Sequence, residues 1–429
     1  MRVFVALLAA VLLPASLMML RADDEKATLQ EAAQLLESKN RDERAEGMRK
    51  LTGLTKYRKT VVKLVLGKLL GETDEDVKDA AFEVLRGLDD AESKKRIMSA
   101  CKIANDPDIK AQLLKIIWTY KDPKGDKQVL SGLNNKAWEI RLTAAELLAS
   151  ARREGSKRDI EFVKKIIDKL IVVMPIEPDG RVKNWMRAAL YYLTGRDFSG
   201  DEKNERKKWR QWWKKRRDLF GQGGDKPADK ADVGSGKWRT TLRPYEDDVD
   251  TPSGKVPRFF GEEIKKSKVC FVIDVSGSMS EQSSGGKAKL ELVRDELIKT
   301  IQAMDKRYSF NVITYSTGVA KWRDGLQKAT PENKQAAIDH VKRFSPMGMT
   351  NIYAAMKMAL EDPDVSLIVL LSDGLPTVGV TDTNIILNSV RKWNRYKRIQ
   401  INTVGMQGCD QTFMTNLATQ NKGKFKMVQ

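Results

Sequence analysis

The stretch Val269-Cys270-Phe271-Val272-Ile273-Asp274-Val275-Ser276-Gly277-Ser278-Met279 constrains the chain more than any other. Its first half is an unbroken apolar, β-branched run, the pattern of a strand buried on both faces. The run then breaks into a carboxylate, two hydroxyls at alternate positions and a glycine that lets the chain bend. Binding groups in open α/β sheets collect where strands end at their carboxyl edge, so Asp274 is a candidate ligand if 269–273 is the first strand.

The sequence downstream supplies the rest of such a sheet. From Ser267 onward strand and helix patterns alternate: strands at 268–274, 308–315, 366–372, 399–404 and 423–428, helices near 287–304, 332–343, 352–361, 383–396 and 410–420. Alternation of this kind predicts a doubly wound, mostly parallel sheet covered on both faces. Two further polar pieces fall at its loops, Gly348-Met349-Thr350-Asn351 ahead of a helix and Ser372-Asp373-Gly374 at another strand end. Oxygen donors without nearby His or Cys suit Mg²⁺, Mn²⁺ or Ca²⁺ and not zinc.

These pieces together resemble the metal-ion-dependent adhesion site of von Willebrand factor type A (VWA) domains, over about residues 264–429, with a domain at 263–429. The resemblance implies a Rossmann-like fold in which Ser276, Ser278 and Thr350 are direct hydroxyl ligands. Asp274 and Asp373 then act directly or through water. It also implies a bound divalent cation, Mg²⁺ foremost and Mn²⁺ or Ca²⁺ as alternatives, with an open position for an Asp or Glu carboxylate from a partner protein. Met349 stands where the family often has a second glycine. Residues 423–429 read as the final strand, so the switching helix that follows it in adhesion receptors is not expected.

From about Ala27 to Arg217 the sequence is helical. Segments starting at Val77, Ile109, Ile140 and Val182 place apolar or small residues at offsets 3, 4, 7, 8 and 11, interrupted at Gln112 and Thr143. The starts lie 32, 31 and 42 residues apart, which predicts a solenoid of helix pairs. Asp74-Glu75-Asp76 and Asp106-Pro107-Asp108 fit helix starts. The pattern is similar to HEAT repeats over roughly residues 28–217. The fold class is thus multidomain: an all-α, HEAT-like helical solenoid at 23–220, a flexible Gly- and Asp-rich linker at 221–262, and the α/β domain.

Residues 1–22 carry the layout of a signal peptide: Met1-Arg2, an apolar run from Val3 to Leu20, and Leu20-Arg21-Ala22 before Asp23-Asp24. Export, to a periplasm or the extracellular medium, is the expectation; an uncleaved anchor at 3–20 is the alternative. The formal net charge of +19 favours anionic surfaces. Basic residues are densest at 203–217, among Trp209, Trp212 and Trp213. Their offsets of 0, 3 and 4 put these rings on one helix face, so they read as core with the cations facing water. Only Cys101, Cys270 and Cys409 exist, read as three buried thiols and not a disulfide framework.

The leading function is a non-enzymatic exported interaction or adhesion protein, with the helical repeats as a second binding surface. Two alternatives belong to other classes. A metal-dependent hydrolase would use strand-end aspartates, but Ser276 stands where a second carboxylate would be needed, and the sole histidine, His340, falls on a surface helix. An anionic envelope polymer could instead bind segment 203–217; nucleic acid is not the expected partner.

Overall fold

The computed structural model describes residues 24–152, 158–178, 180–199, 203–221, 256–283 and 285–428. The signal-like stretch 1–22 and most of the expected linker lie outside the described residues. The chain divides into two compact units, one helical and one built around a sheet. Among the described residues no helix is long and apolar enough to cross a membrane.

The N-terminal unit is all helical: α1 at 24–35, α2 Arg41–Lys50, α3 Arg58–Leu69, α4 Glu75–Arg86, α5 Ala91–Ile103, α6 Pro107–Thr119, α7 Pro123–Gly132, α8 Trp138–Ala149, α9 Ile160–Val173, α10 Gly180–Thr194 and α11 Glu205–Arg216. Asp74, Asp90, Asp106 and Asp122 recur every sixteen residues, and each caps the helix that follows by accepting first-turn N–H groups. Proline at the first position of α6 and α7 reinforces two of these starts. Packing joins alternate helices, α2 on α4, α4 on α6, α6 on α8 and α3 on α5, and consecutive ones, α3 on α4, α5 on α6, α6 on α7 and α7 on α8. Lys78 of α4 is fully buried, and its ammonium joins Glu75 at 3.2 Å to Asp106 at 3.3 Å, tying one helix to the cap of another. On α11, Trp209 and Trp213 are buried and Trp212 half-buried, while Arg206, Lys207, Lys208, Arg210, Lys214, Lys215 and Arg216 face solvent.

The C-terminal unit opens with a short hairpin of β1 Arg258–Phe259 and β2 Glu262–Glu263, from which Phe259 packs its ring 5.4 Å from that of Phe271. Its main sheet holds β3 Lys268–Asp274, β4 Ser309–Tyr315, β5 Val319–Lys321, β6 Gln327–Lys328, β7 Leu367–Ser372, β8 Gln400–Gly405 and β9 Phe425–Met427. The order is β5-β4-β3-β7-β8-β9, with β6 also paired to β4. Neighbours from β4 through β9 run parallel, whereas β5 and β6 are antiparallel to β4 and were not anticipated by the alternation.

Alternate residues of β3 feed opposite cores, as the two-residue repeat of a strand requires. Val269, Phe271 and Ile273 pack with α12 Lys289–Ala303 and α13 Pro331–Lys342. Cys270 and Val272 pack with α14 Ile352–Glu361, α15 Thr383–Asn394 and α16 Gln411–Gln420. The thiols of Cys101 and Cys270 are buried as expected, and burial pushes the Cys101 thiol up to about 12. Cys409 differs: it is half-buried, with its sulfur 3.9 Å from that of Met427.

Candidate metal centre

β3 and β7 are parallel neighbours, so their carboxyl ends deliver Asp274 and the pair Ser372-Asp373 to the same edge. The third contributor is the loop between α13 and α14, drawn in by two backbone bonds. Met347 N–H donates to the Val275 carbonyl at 2.8 Å, and Gly277 N–H donates to the Gly348 carbonyl at 3.0 Å. Gly348 makes this turn at φ +73°, and a side chain there would also collide with the Thr317 hydroxyl at 2.6 Å. Asn351 then caps α14, its side chain accepting from Ala354 N–H at 3.1 Å, which fixes Thr350 one residue ahead of the cap.

Asp274, Ser276, Ser278 and Asp373 are joined by hydrogen bonds, and Thr350 lies beside them across Gly374. Asp274 is fully buried and both its oxygens are engaged: Oδ1 accepts from Ser276 N–H at 2.8 Å and Oδ2 from the Ser372 hydroxyl at 2.8 Å. The Ser276 and Ser278 hydroxyls lie 3.2 Å apart, and the Ser278 hydroxyl donates to Asp373 Oδ1 at 2.8 Å. Thr350, also buried, receives a backbone anchor in which its N–H donates to the Thr377 hydroxyl at 2.9 Å. A Cβ at Gly374 would lie in ordinary contact, 3.9 Å from the Thr350 hydroxyl and 4.0 Å from that of Ser278, so these two hydroxyls border the same spot above the glycine.

Burial dominates the electrostatics of Asp274 and pushes its carboxyl up to about 6, although hydrogen bonds from Ser276 and Ser372 pull the other way. The nearby Tyr315 hydroxyl donates to the Leu371 carbonyl at 2.9 Å, and its own pKa is pushed well up by burial. Two groups at this edge were not foreseen. Lys289, at the start of α12, is 3% exposed and donates to Asp373 Oδ2 at 2.9 Å and to Glu281 Oε2 at 2.8 Å. Burial lowers its pKa, but its bonds to Glu281 and Asp373 outweigh that and raise it overall. The one sequence signal was a lysine in a helix's first turn, where a cation opposes the dipole. Ser372, the other unforeseen partner, was legible only as part of the Ser372-Asp373-Gly374 run.

The donor set is chemically suited to a hard divalent cation: two carboxylates and three hydroxyls. Among the described residues no three His, Cys, Asp or Glu side chains converge to hold a metal, so any ion here depends on the hydroxyls. Apolar side chains surround the edge. Of four large apolar residues exposed among the described residues of this unit, three lie on its loops: Met347 at 62%, Met349 at 48% and Leu375 at 52%. A cavity of about 610 Å³ adjoins them, lined by Val275, Val319, Phe344 and Met347 together with His340 and Arg343. His340 sits edge-on to Phe344 at 5.4 Å, and burial lowers its pKa.

Comparison with known proteins places this unit. Residues 268–429 match the von Willebrand factor type A domain family. Similar proteins include inter-alpha-trypsin inhibitor heavy chain 4 of Mus musculus, 40% identical over 136 residues, covering 29% of this chain and 14% of the relative. Heavy chain H3 of Rattus norvegicus is 31% identical over 190 residues, covering 41% and 21%. The chain therefore spans only 14% and 21% of the length of these relatives. Among solved structures, a von Willebrand factor type A protein from Catenulispora acidiphila aligns at 17% identity and a TM-score of 0.34, over 38% of each chain. Proximal thread matrix protein 1 of the mussel byssus aligns at 20% identity and a TM-score of 0.30, over 37% of this chain and 41% of that one. The C-terminal region is a VWA-fold domain related to inter-alpha-trypsin inhibitor heavy chains. By name these relatives are heavy chains of inter-alpha-trypsin inhibitor.

Proposed function

We propose that this chain is an exported, non-enzymatic interaction protein whose VWA domain captures an Asp or Glu carboxylate of a partner protein through a divalent cation. The observation that carries the reading is the run of oxygens at the sheet edge, from Ser276 to Ser278 at 3.2 Å and from Ser278 to Asp373 at 2.8 Å, with the Thr350 hydroxyl bordering the same spot above Gly374 as that of Ser278. Ser276, Ser278 and Thr350 would hold the ion through hydroxyl oxygens. Asp274, both of whose oxygens already accept protein hydrogen bonds, supplies charge from behind them, and Asp373 does so from the loop that follows β7. Mg²⁺ suits this set best, with Mn²⁺ or Ca²⁺ as alternatives; once bound, such an ion offers a positive centre to an outside carboxylate. The exposed Met347, Met349 and Leu375 would add apolar contact around that point, as interface cores require.

The same reading assigns residues 1–22 to a signal peptide, 23–220 to HEAT-like repeats serving as a second binding surface, and the C-terminal part to the VWA domain; the linker expected over 221–262 stops short of Arg258, because the hairpin at Arg258–Glu263 pairs and Phe259 packs against Phe271 of the sheet. Packing between alternate helices supports the repeat assignment. The test is a pull-down with the full chain in Mg²⁺ or excess EDTA, comparing wild type with Asp274→Ala and Thr350→Ala. Capture should require Mg²⁺ and be lost in both variants. Capture that survives EDTA sinks the proposal.

A second reading has its own support. Seven cations of α11 face solvent while Trp209 and Trp213 are buried, so that helix could hold an anionic polymer by charge alone, without ring stacking.

A further inference from the structure

Lys289 is an expensive residue for its position. It begins α12 after Ala288, which provides no side-chain cap, and a cation at a helix N-terminus opposes the dipole. Its side chain is only 4% exposed, so its charge has been taken largely out of water. The partners explain why it is tolerated. The ammonium lies 2.9 Å from Asp373 Oδ2, whose side chain is 0% exposed, and 2.8 Å from Glu281 Oε2, whose side chain is 65% exposed. With the Ser278 hydroxyl on Asp373 Oδ1, both oxygens of that carboxylate are occupied by the chain itself.

We infer that Lys289 is a built-in counter-charge that sets how tightly the oxygen site holds a divalent cation. Asp274 and Asp373 contribute two negative charges, and the ammonium cancels one of them. A divalent ion entering beside Asp373 meets this fixed positive charge at short range, where repulsion through a partly buried medium is strong. It is therefore held weakly and under-neutralised, which leaves more of its charge for an outside anion. Lys289 also holds Asp373 Oδ2 on the α12 side of the site, so that swinging this carboxylate fully toward an ion requires breaking a buried ion pair. Glu281 tunes the device from solvent, because it shares the ammonium with Asp373.

This inference rests on the proposed cation site, and the experiment separates the two. Mn²⁺ alone is titrated into EDTA-stripped full-length protein by calorimetry, for wild type, Lys289→Met, Lys289→Arg and Glu281→Gln. Lys289→Met keeps most of the stem and removes the charge; it should bind Mn²⁺ at least about ten-fold tighter than wild type. Lys289→Arg should stay near wild type, whereas a merely structural role would weaken binding in both. Glu281→Gln leaves the ammonium wholly to Asp373 and removes an outer negative charge, so Mn²⁺ should bind more weakly. This surface variant carries the test if Lys289→Met does not fold. Equal or weaker binding in a folded Lys289→Met, or unchanged or tighter binding in Glu281→Gln, overturns the role of Lys289 while leaving the site standing. Absence of Mn²⁺ binding in wild type and every variant overturns both.

Discussion

Asp274 is an acid buried where it would rather be neutral. Its folded pKa of about 6 lies above the ordinary aspartate value of about 3.9, so the folded protein holds this proton more tightly than the unfolded chain. Its contribution to stability is therefore fully present below about pH 4 and is lost as pH rises through about 6. A shift of that size corresponds to about 3 kcal/mol. In EDTA, urea unfolding of the C-terminal unit should show wild type losing roughly this much between about pH 4 and pH 8 relative to Asp274→Asn, which has no charge to bury. Saturating Mg²⁺ at the upper pH should recover most of the loss, because the ion favours the carboxylate form. A flat difference between the two proteins across this range would show that Asp274 is not a strained buried acid. Asp274, Ser276 and Ser278 could be singled out from sequence because a strand ends on them within a few residues. Lys289 could not, because its partner Asp373 lies 84 positions away and only the fold brings them together.

At the level of elements, what was legible followed the strength of the hydrophobic pattern. β3 and β7 are nearly all apolar and buried along their length, and their spans match the expectation to within a residue. β5 has three residues with only Val319 partly sheltered, too short for any period to show. The sheet's far edge has a different kind of constraint. β9 is short, yet it is anchored where Thr403 N–H donates to the Lys424 carbonyl at 2.9 Å and Val428 N–H to the Gly405 carbonyl at 2.8 Å. Just before it, a Cβ at Gly423 would sit 1.7 Å from the Ile401 carbonyl oxygen, a backbone atom that cannot yield without moving β8. Gly423→Ala should accordingly push β9 off the sheet, destabilise the C-terminal unit by about 1–3 kcal/mol and speed hydrogen exchange at the Thr403 amide. An unaltered unfolding midpoint would show that Gly423 does not approach the β8 backbone closely.

Across the whole molecule, the helical unit was readable as helices because its apolar stripes repeat, and the aspartate caps sixteen residues apart extend a regularity that the sequence showed only at Asp74 and Asp106. Its charge distribution was less readable, since a basic run interleaved with tryptophans fits both a stacking surface and a solvated helix face. Burial of Trp209 and Trp213 decides for the latter. What is left on α11 is charge, and with a formal net +19 behind it that charge should act on polyanions at long range. Binding of this origin has a signature that cation-bridged capture lacks. Each phosphate neutralised contributes roughly −0.7 to −0.9 to the slope of log K against log salt, by analogy with nucleic acids. Long-chain polyphosphate should therefore bind the full chain with a steep negative slope that is the same in EDTA and in Asp274→Ala. Replacing Lys207, Lys208, Lys214 and Lys215 together by Gln should reduce the steepness by about 2 or more. All four side chains are exposed, so the helix and its buried tryptophans should be undisturbed. A slope that survives the four substitutions would remove α11 as the polymer site and leave the positive charge spread over the chain as the source of binding.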